Sequence, residues 1–138
     1  HWHDAIAAIA ADPDAQEVIL SGGDPLSLAD HKLAELTNAL AGVPHVRRLR
    51  IHTRQPVVLP SRVDDGLLAW LRGLRWPVAI VLHANHAQEL DGPVADALAR
   101  LHGTGAALPG YLVPRLVREV PGAAHKVSIA SAGPSPAG

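Results

Sequence analysis

The chain has 138 residues, a formal net charge of −1 and 48% hydrophobic residues, which fits one globular domain. This balanced charge gives no basic field for nucleic acid. There is no cysteine, which excludes disulfides, thiolate zinc sites and iron–sulfur ligation by this chain alone. No apolar run reaches about 18 residues, so no membrane span is predicted. The first residues do not resemble a signal peptide and include no methionine, so we expect a cytoplasmic chain cut from a longer protein.

The predicted elements alternate between short apolar strands and amphipathic helices. An Ala- and Ile-rich helix is predicted at residues 4–11 and ends at Asp12-Pro13. Three strand–helix units follow, and their strands start at residues 18, 49 and 78, with spacings of 31 and 29 residues. The predicted strands are 18–20, 49–53 and 78–84, and the helices after them are 27–40, 61–71 and 91–101.

This rhythm predicts an α/β fold with a parallel sheet, because strand–helix–strand crossovers are right-handed. Both a barrel and a doubly wound sheet are compatible with it. Ser27 and Ser61 resemble helix N-caps, each with an acid three residues later. The alternation of strands and helices ends after the third unit. Residues 105–108 begin a candidate fourth strand, which Pro109-Gly110 interrupts. Residues 111–120 form a candidate short strand. Residues 131–138 have a low-complexity composition that predicts a disordered tail, which leaves residues 1–130 as the domain.

The unusual polar residues follow the predicted strands. They are Ser21-Gly22-Gly23-Asp24-Pro25, His52-Thr53-Arg54 and His83-Ala84-Asn85-His86. Ligands of parallel α/β folds bind at the carboxyl ends of strands. We therefore expect these three segments to surround one ligand site.

The Gly22-Gly23 pair is the sharpest local signal among them. Glycines permit a positive φ or a close backbone approach to a ligand. Exposed amides there suit a carboxylate or a phosphate, and Asp24 can accept a hydrogen bond from an ammonium group. A tight strand-to-helix turn explains the same residues without any ligand.

Several other side chains fit either a role in ligand binding or catalysis or an ordinary structural role. Arg54 can hold a carboxylate through two hydrogen bonds, or it can form a surface ion pair. His83 and His86 do not converge as a metal pair at a strand end, so we interpret them as hydrogen-bonding or packing groups. Lys126 follows the small residues 122–124, and a desolvated lysine there can attack a carbonyl group. A solvated loop lysine is the alternative.

Several segments also match the pattern of one known family, in that family's order. The matching segments are residues 18–25 (VILSGGDP), 48–60 (RLRIHTRQPVVLP), 83–89 (HANHAQE), 110–116 (GYLVPRL) and 122–126 (GAAHK). Together they resemble the lysine 2,3-aminomutases, a family of radical S-adenosylmethionine (SAM) enzymes. The resemblance covers about residues 2–127 and is closest to the branch that acts with elongation factor P.

This resemblance implies a partial (β/α) barrel with a 4Fe–4S cluster, SAM and pyridoxal 5′-phosphate (PLP). In the family the cluster reductively cleaves SAM, the resulting radical takes hydrogen from lysine, and PLP carries the amino group that migrates to give β-lysine. Lys126 matches the catalytic lysine that binds PLP covalently, and Glu119 matches an acidic residue near the substrate ammonium group. Gly22, Gly23 and Asp24 match the turn that holds the methionine part of SAM, and we place Ser21, Arg54 and Asn85 at the same cofactor site.

The chain departs from the family in two places. The cluster motif C-x-x-x-C-x-x-C is expected before Trp2 and is absent, and further strands and helices are expected between Leu108 and Pro109. We therefore expect a fragment with an internal deletion, an open sheet edge with exposed apolar surface, and no radical activity. The alternatives are a free-lysine enzyme instead of one linked to elongation factor P, a non-catalytic remnant, and an unrelated phosphate- or PLP-binding α/β module.

Overall fold

Four parallel strands form one sheet in the computed structural model, which describes residues 2–83, 92–108 and, as backbone, 124–128. The strands are β1 (Glu17–Ser21), β2 (Arg48–Thr53), β3 (Val78–Leu82) and β4 (Ala124–Ser128). The helices are α1 (Trp2–Ala11), α2 (Asp30–Ala41), α3 (Gln55–Val58), α4 (Asp65–Arg72) and α5 (Pro93–His102). The strand order is β3-β2-β1-β4, and every pair is parallel. The predicted α/β class and parallel sheet are confirmed, and β1, β2 and β3 are adjacent in that order.

The long helices pack against one face of this sheet. Side chains alternate between faces along a strand, and those of one face join a buried cluster with α1, α2, α4 and α5. The strand members of that cluster are Val18, Leu20, Leu49, Ile51 and Ile80, and its helix members include Ile9, Leu33, Leu36, Leu40, Leu67, Leu71, Leu98 and Leu101. The helices that follow β1, β2 and β3 lie on this one face, and the three strands are adjacent in chain order, which is the arrangement of consecutive units in a (β/α) barrel. β4 lies on the other side of β1, and this strand order also occurs in doubly wound sheets. Four strands do not close a barrel, so the radical SAM barrel stays a prediction.

The opposite face of the sheet carries a buried ion pair. Glu17 and Arg50 alternate with the helix-facing residues, and Arg50 Nη2 lies 3.1 Å from Glu17 Oε1. Arg48 Nε lies 3.6 Å from Glu17 Oε2. The Glu17 and Arg50 side chains are each 9% exposed. Glu17 is therefore compensated by both arginines, and the buried Arg50 charge is compensated by Glu17.

The predicted N-cap at Ser27 is wrong because Pro25–Ser27 forms a short 3-10 turn. The Ser27 hydroxyl donates to the Asp24 carbonyl at 2.6 Å. Helix α2 begins after that turn, with Ala29 at its N-cap and no side-chain cap hydrogen bond.

The predicted N-cap at Ser61 is wrong for a similar reason. A second proline-led 3-10 turn spans Pro60–Arg62, so the helix starts later. The cap of α4 is Asp64, whose carboxylate accepts a 2.9 Å hydrogen bond from the Leu67 N–H. By contrast, the predicted start of α5 is confirmed, with proline in its first turn after Gly92.

The sheet edge at β1 is paired with a fourth strand that the sequence did not predict. β4 runs beside β1 in full register, from Glu17 beside Ala124 to Ser21 beside Ser128. Because Val18, Ile19 and Leu20 are buried, unpaired backbone groups on this strand would be costly. The pairing with β4 satisfies that requirement.

The edge at β3 carries one bridge in place of the candidate fourth strand. The Ala107 N–H donates to the Val78 carbonyl at 2.9 Å, and the Ile80 N–H donates to the Ala107 carbonyl at 2.8 Å. The large hydrophobic side chains exposed in the described part of the chain are Val58 and Leu59, in and after α3, not at a sheet edge. Within the same ranges no helix is long and apolar enough to cross a membrane. The candidate strand 111–120 and the predicted tail lie outside the described residues.

We predict that Glu17→Gln lowers the free energy of unfolding by about 3–5 kcal/mol, because it leaves the Arg50 charge buried without its counter-ion. Urea denaturation measures this change. The matched control is Glu35→Gln, since Glu35 is 60% exposed and its ion pair with Lys32 is 3.7 Å long. The control should stay within about 0.5 kcal/mol of the parent chain.

The double variant Glu17→Leu/Arg50→Leu should recover most of that loss, because an apolar pair has no charge to desolvate. Equal destabilisation by Glu17→Gln and Glu35→Gln would show that the buried pair has no special energetic role.

Candidate functional site

The turn after β1 has the geometry that its glycines predict. Gly22 has φ +87°, a conformation that side-chain-bearing residues avoid. Gly22 and Gly23 are exposed, whereas Pro25 and Leu26 behind them are buried. The turn therefore presents backbone to solvent while its far end is anchored in the core.

The carboxylate of Asp24 is used to hold this turn against the end of β2. Its Oδ1 accepts from the Thr53 hydroxyl at 2.5 Å and from the Leu26 N–H at 3.1 Å. Its Oδ2 accepts from the Arg54 N–H at 2.7 Å. A carboxylate offers about four acceptor positions, so the chain's own donors occupy most of them. Asp24 thus acts here mainly as a bridge between two strand ends.

Arg62 is a second residue that holds this turn in place through hydrogen bonds, and no sequence pattern indicated it. Its Nε donates to the Leu26 carbonyl at 2.7 Å, and its Nη2 donates to the Leu28 carbonyl at 3.0 Å and to Asp30 Oδ1 at 2.8 Å. The Arg62 side chain is only 13% exposed. Its partners lie 32 to 36 residues earlier, so no local pattern marks this arginine.

The ends of β1, β2 and β3 meet at what we call the carboxyl edge of the sheet. The His83 N–H donates to the Thr53 carbonyl at 3.1 Å, and the His52 and His83 rings have centroids 5.5 Å apart. Arg54 is exposed beside the Asp24 carboxylate. The predicted gathering of these strand ends is therefore found for residues 21–24, 52–54 and 83. Asn85 and Glu119 lie outside the described residues.

Lys126 lies within β4 and not at the end of the loop that we expected. In the register it stands beside Ile19, and Ile19 stands beside Arg50. The reason is the edge of β1, which offers a full row of backbone partners to residues 124–128. The small residues before Lys126 suggested a loop, because composition does not reveal a strand partner more than 100 residues away.

No metal centre is found in the described residues, where no three His, Cys, Asp or Glu side chains group together. The sequence also contains no cysteine. The described part of the carboxyl edge therefore offers backbone amides, the Arg54 side chain and two histidine rings.

The parallel sheet and its helices define the class of the protein, which is an α/β fold. Its polar groups lie at the carboxyl edge of the sheet, where such folds bind small ligands. Among curated proteins, the chain is 39% identical over 120 residues to "L-lysine 2,3-aminomutase" of Escherichia coli strain K12, which covers 87% of this chain and 34% of that protein. It is 44% identical over 107 residues to the protein of the same name from Haemophilus influenzae, covering 78% and 32%. The protein of that name from Clostridium subterminale is 36% identical over 121 residues, covering 88% and 28%. No family model matches the chain.

The chain belongs to the L-lysine 2,3-aminomutase family. It spans about a third of the length of curated relatives such as those from Escherichia coli and Haemophilus influenzae. The resemblance seen in the segments of the sequence is thereby confirmed.

We predict that Gly22→Ala lowers the free energy of unfolding by about 1–2 kcal/mol, because alanine resists the positive φ at this turn. The matched control is Gly73→Ala, which has φ −81° and no atom closer than 3.5 Å to the added methyl group. That control should be neutral or stabilising by up to about 1 kcal/mol. Thermal or urea unfolding measures both, and a Gly22→Ala chain as stable as Gly73→Ala would contradict the positive-φ turn.

Proposed function

We propose that this chain carries the SAM-binding turn and the PLP-binding lysine of a radical SAM lysine 2,3-aminomutase, an isomerase that moves an amino group on L-lysine to give β-lysine. The observation that carries the proposal is the exposed, positive-φ turn at Gly22, which stands at the carboxyl edge inside a segment similar to the curated aminomutases. The similarity to the Escherichia coli protein, which extends over 87% of this chain, supports the same proposal.

The residues at the turn fit the methionine part of SAM, which is an α-amino acid. Gly22 and Gly23 have no side chains, so backbone amides and carbonyls can approach a carboxylate and an ammonium group closely. Arg54 stands exposed at the same edge and suits a bidentate hold on the carboxylate. We assign Ser21, Asp24 and Asn85 to the same cofactor site, with Asp24 acting through its bridge to β2.

For PLP the proposed residue is Lys126, with Glu119 as the acceptor for the substrate ammonium group. Bound PLP would supply the group that carries the migrating amino nitrogen. Lys126 would supply an amine to the cofactor's aldehyde, which requires the unprotonated form that desolvation favours. The backbone register supports a place for Lys126 in the sheet, next to the strand that ends in the glycine turn.

The residues present do not fit an iron–sulfur cluster. Such clusters are held by cysteine thiolates, and the chain has none. We therefore propose that the 138-residue chain by itself does not cleave SAM and does not form β-lysine.

We further propose lysine, or lysine destined for elongation factor P, as the substrate class of the lineage. The resemblance of residues 18–25 to the branch linked to elongation factor P supports this proposal. A neighbouring gene for an elongation factor P ligase supports that branch, and a lysine-catabolic neighbourhood supports the free-lysine enzyme.

We predict that PLP labelling depends on Lys126. The chain has two lysines, and after borohydride reduction Lys126→Ala should lose most of the visible-absorbing adduct. Lys32→Ala is the matched control, because Lys32 is half exposed on α2 in an ion pair with Glu35. Peptide mapping of the reduced adduct measures both. Labelling of Lys126→Ala that equals the parent chain would remove the proposed role of Lys126.

We predict that anaerobic treatment with iron and sulfide yields no stable cluster absorbance, because no thiolate ligand exists. Lysine, SAM and a reductant should then yield no β-lysine, and calorimetry should detect only weak SAM binding. A stable cluster, or product formation by the chain alone, would contradict the proposed incompleteness.

A further inference from the structure

The hydroxyl of Thr53, the last residue of β2, makes two hydrogen bonds to other residues of the chain. Thr53 is 2% exposed. Its Oγ1 donates to Asp24 Oδ1 at 2.5 Å and accepts from the Gln55 N–H at 3.1 Å. This hydroxyl therefore joins the turn after β1 to the first turn of α3.

The Asp24 carboxylate extends that connection to the backbone on both sides. It accepts from the Arg54 N–H at 2.7 Å and from the Leu26 N–H at 3.1 Å. Hydrogen bonds to an ionised acceptor are stronger than those between neutral groups, and the Thr53 end is shielded from water. The carboxylate consequently has one favoured orientation, which constrains the backbone immediately after Gly23.

Two adjacent glycines have more backbone freedom than any other residue pair, so the turn does not fix its own conformation. A ligand held by backbone amides needs those amides in one arrangement before it binds, since ordering them on binding costs affinity. In the described residues, the side-chain hydrogen bonds that join this turn to the end of β2 converge on Asp24, directly after Gly23.

We propose that Thr53 is a positioning residue, which fixes the Gly22-Gly23 turn for the methionine part of SAM through the Asp24 carboxylate. The inference rests on the proposed function, because it takes SAM as the ligand of this turn. Thr53 is buried and acts from behind the turn, so it influences ligand binding without touching the ligand.

The test compares Thr53→Val, which removes the hydroxyl at nearly constant shape, with Thr53→Ser, which retains it. Amide hydrogen exchange at Arg54 and Leu26 is measured by NMR on the full 138-residue chain. Calorimetry gives the dissociation constants of SAM and of adenosine, which lacks the methionine part.

In Thr53→Val, exchange at the Arg54 amide should accelerate about 10- to 100-fold, as loss of one charge-assisted hydrogen bond implies. The dissociation constant of SAM should rise about tenfold or more, while that of adenosine stays unchanged. Thr53→Ser should resemble the parent chain in all three measurements. A general loss of structure would weaken both ligands, so the difference between SAM and adenosine isolates the positioning role.

Equal SAM affinity in the parent chain and Thr53→Val overturns this inference and leaves the proposed function in place. A parent chain that binds no SAM overturns the SAM part of the proposed function and the ligand part of this inference. In that case, faster exchange of the Arg54 amide in Thr53→Val still supports the claim that Thr53 fixes the conformation of the turn. Unchanged exchange overturns that claim.

Discussion

The backbone of β1 must be hydrogen-bonded on both edges, because Val18, Ile19 and Leu20 are buried. β2 satisfies one edge and β4 the other. The pairing with β2 brings the glycine turn beside the end of β2, and the pairing with β4 brings a distant lysine into the same sheet. One short apolar strand thus determines which polar segments of the chain can meet.

The sequence predicted those features whose causes lie within a few residues. The apolar runs of β1, β2 and β3, the helices that follow them and the turn at the glycines after β1 are of this kind. Ser27 and Ser61 were misassigned as caps because proline-led 3-10 turns intervene before the helices.

The parts of the candidate site that sequence did not reveal depend on contacts between distant residues. The Thr53–Asp24 hydrogen bond spans 29 residues, and the Arg62 contacts with Leu26 and Leu28 span 36 and 34 residues. A threonine at a strand end and an arginine between two helices are common in proteins, so neither residue stands out in the sequence. Only the parallel register of β1 and β2 reveals that these side chains hold the turn.

The three cofactors of the family place different demands on this chain. The turn proposed to bind SAM needs a local glycine geometry and hydrogen bonds from the end of β2, and both are present in the described residues. The lysine proposed to bind PLP, Lys126, lies in β4, whose place next to β1 is set by long-range pairing. The cluster needs thiolates, which the chain does not contain. The hydrogen bonds that hold the turn come from the end of β2, so its conformation is fixed by contacts within the sheet and does not depend on a bound cofactor.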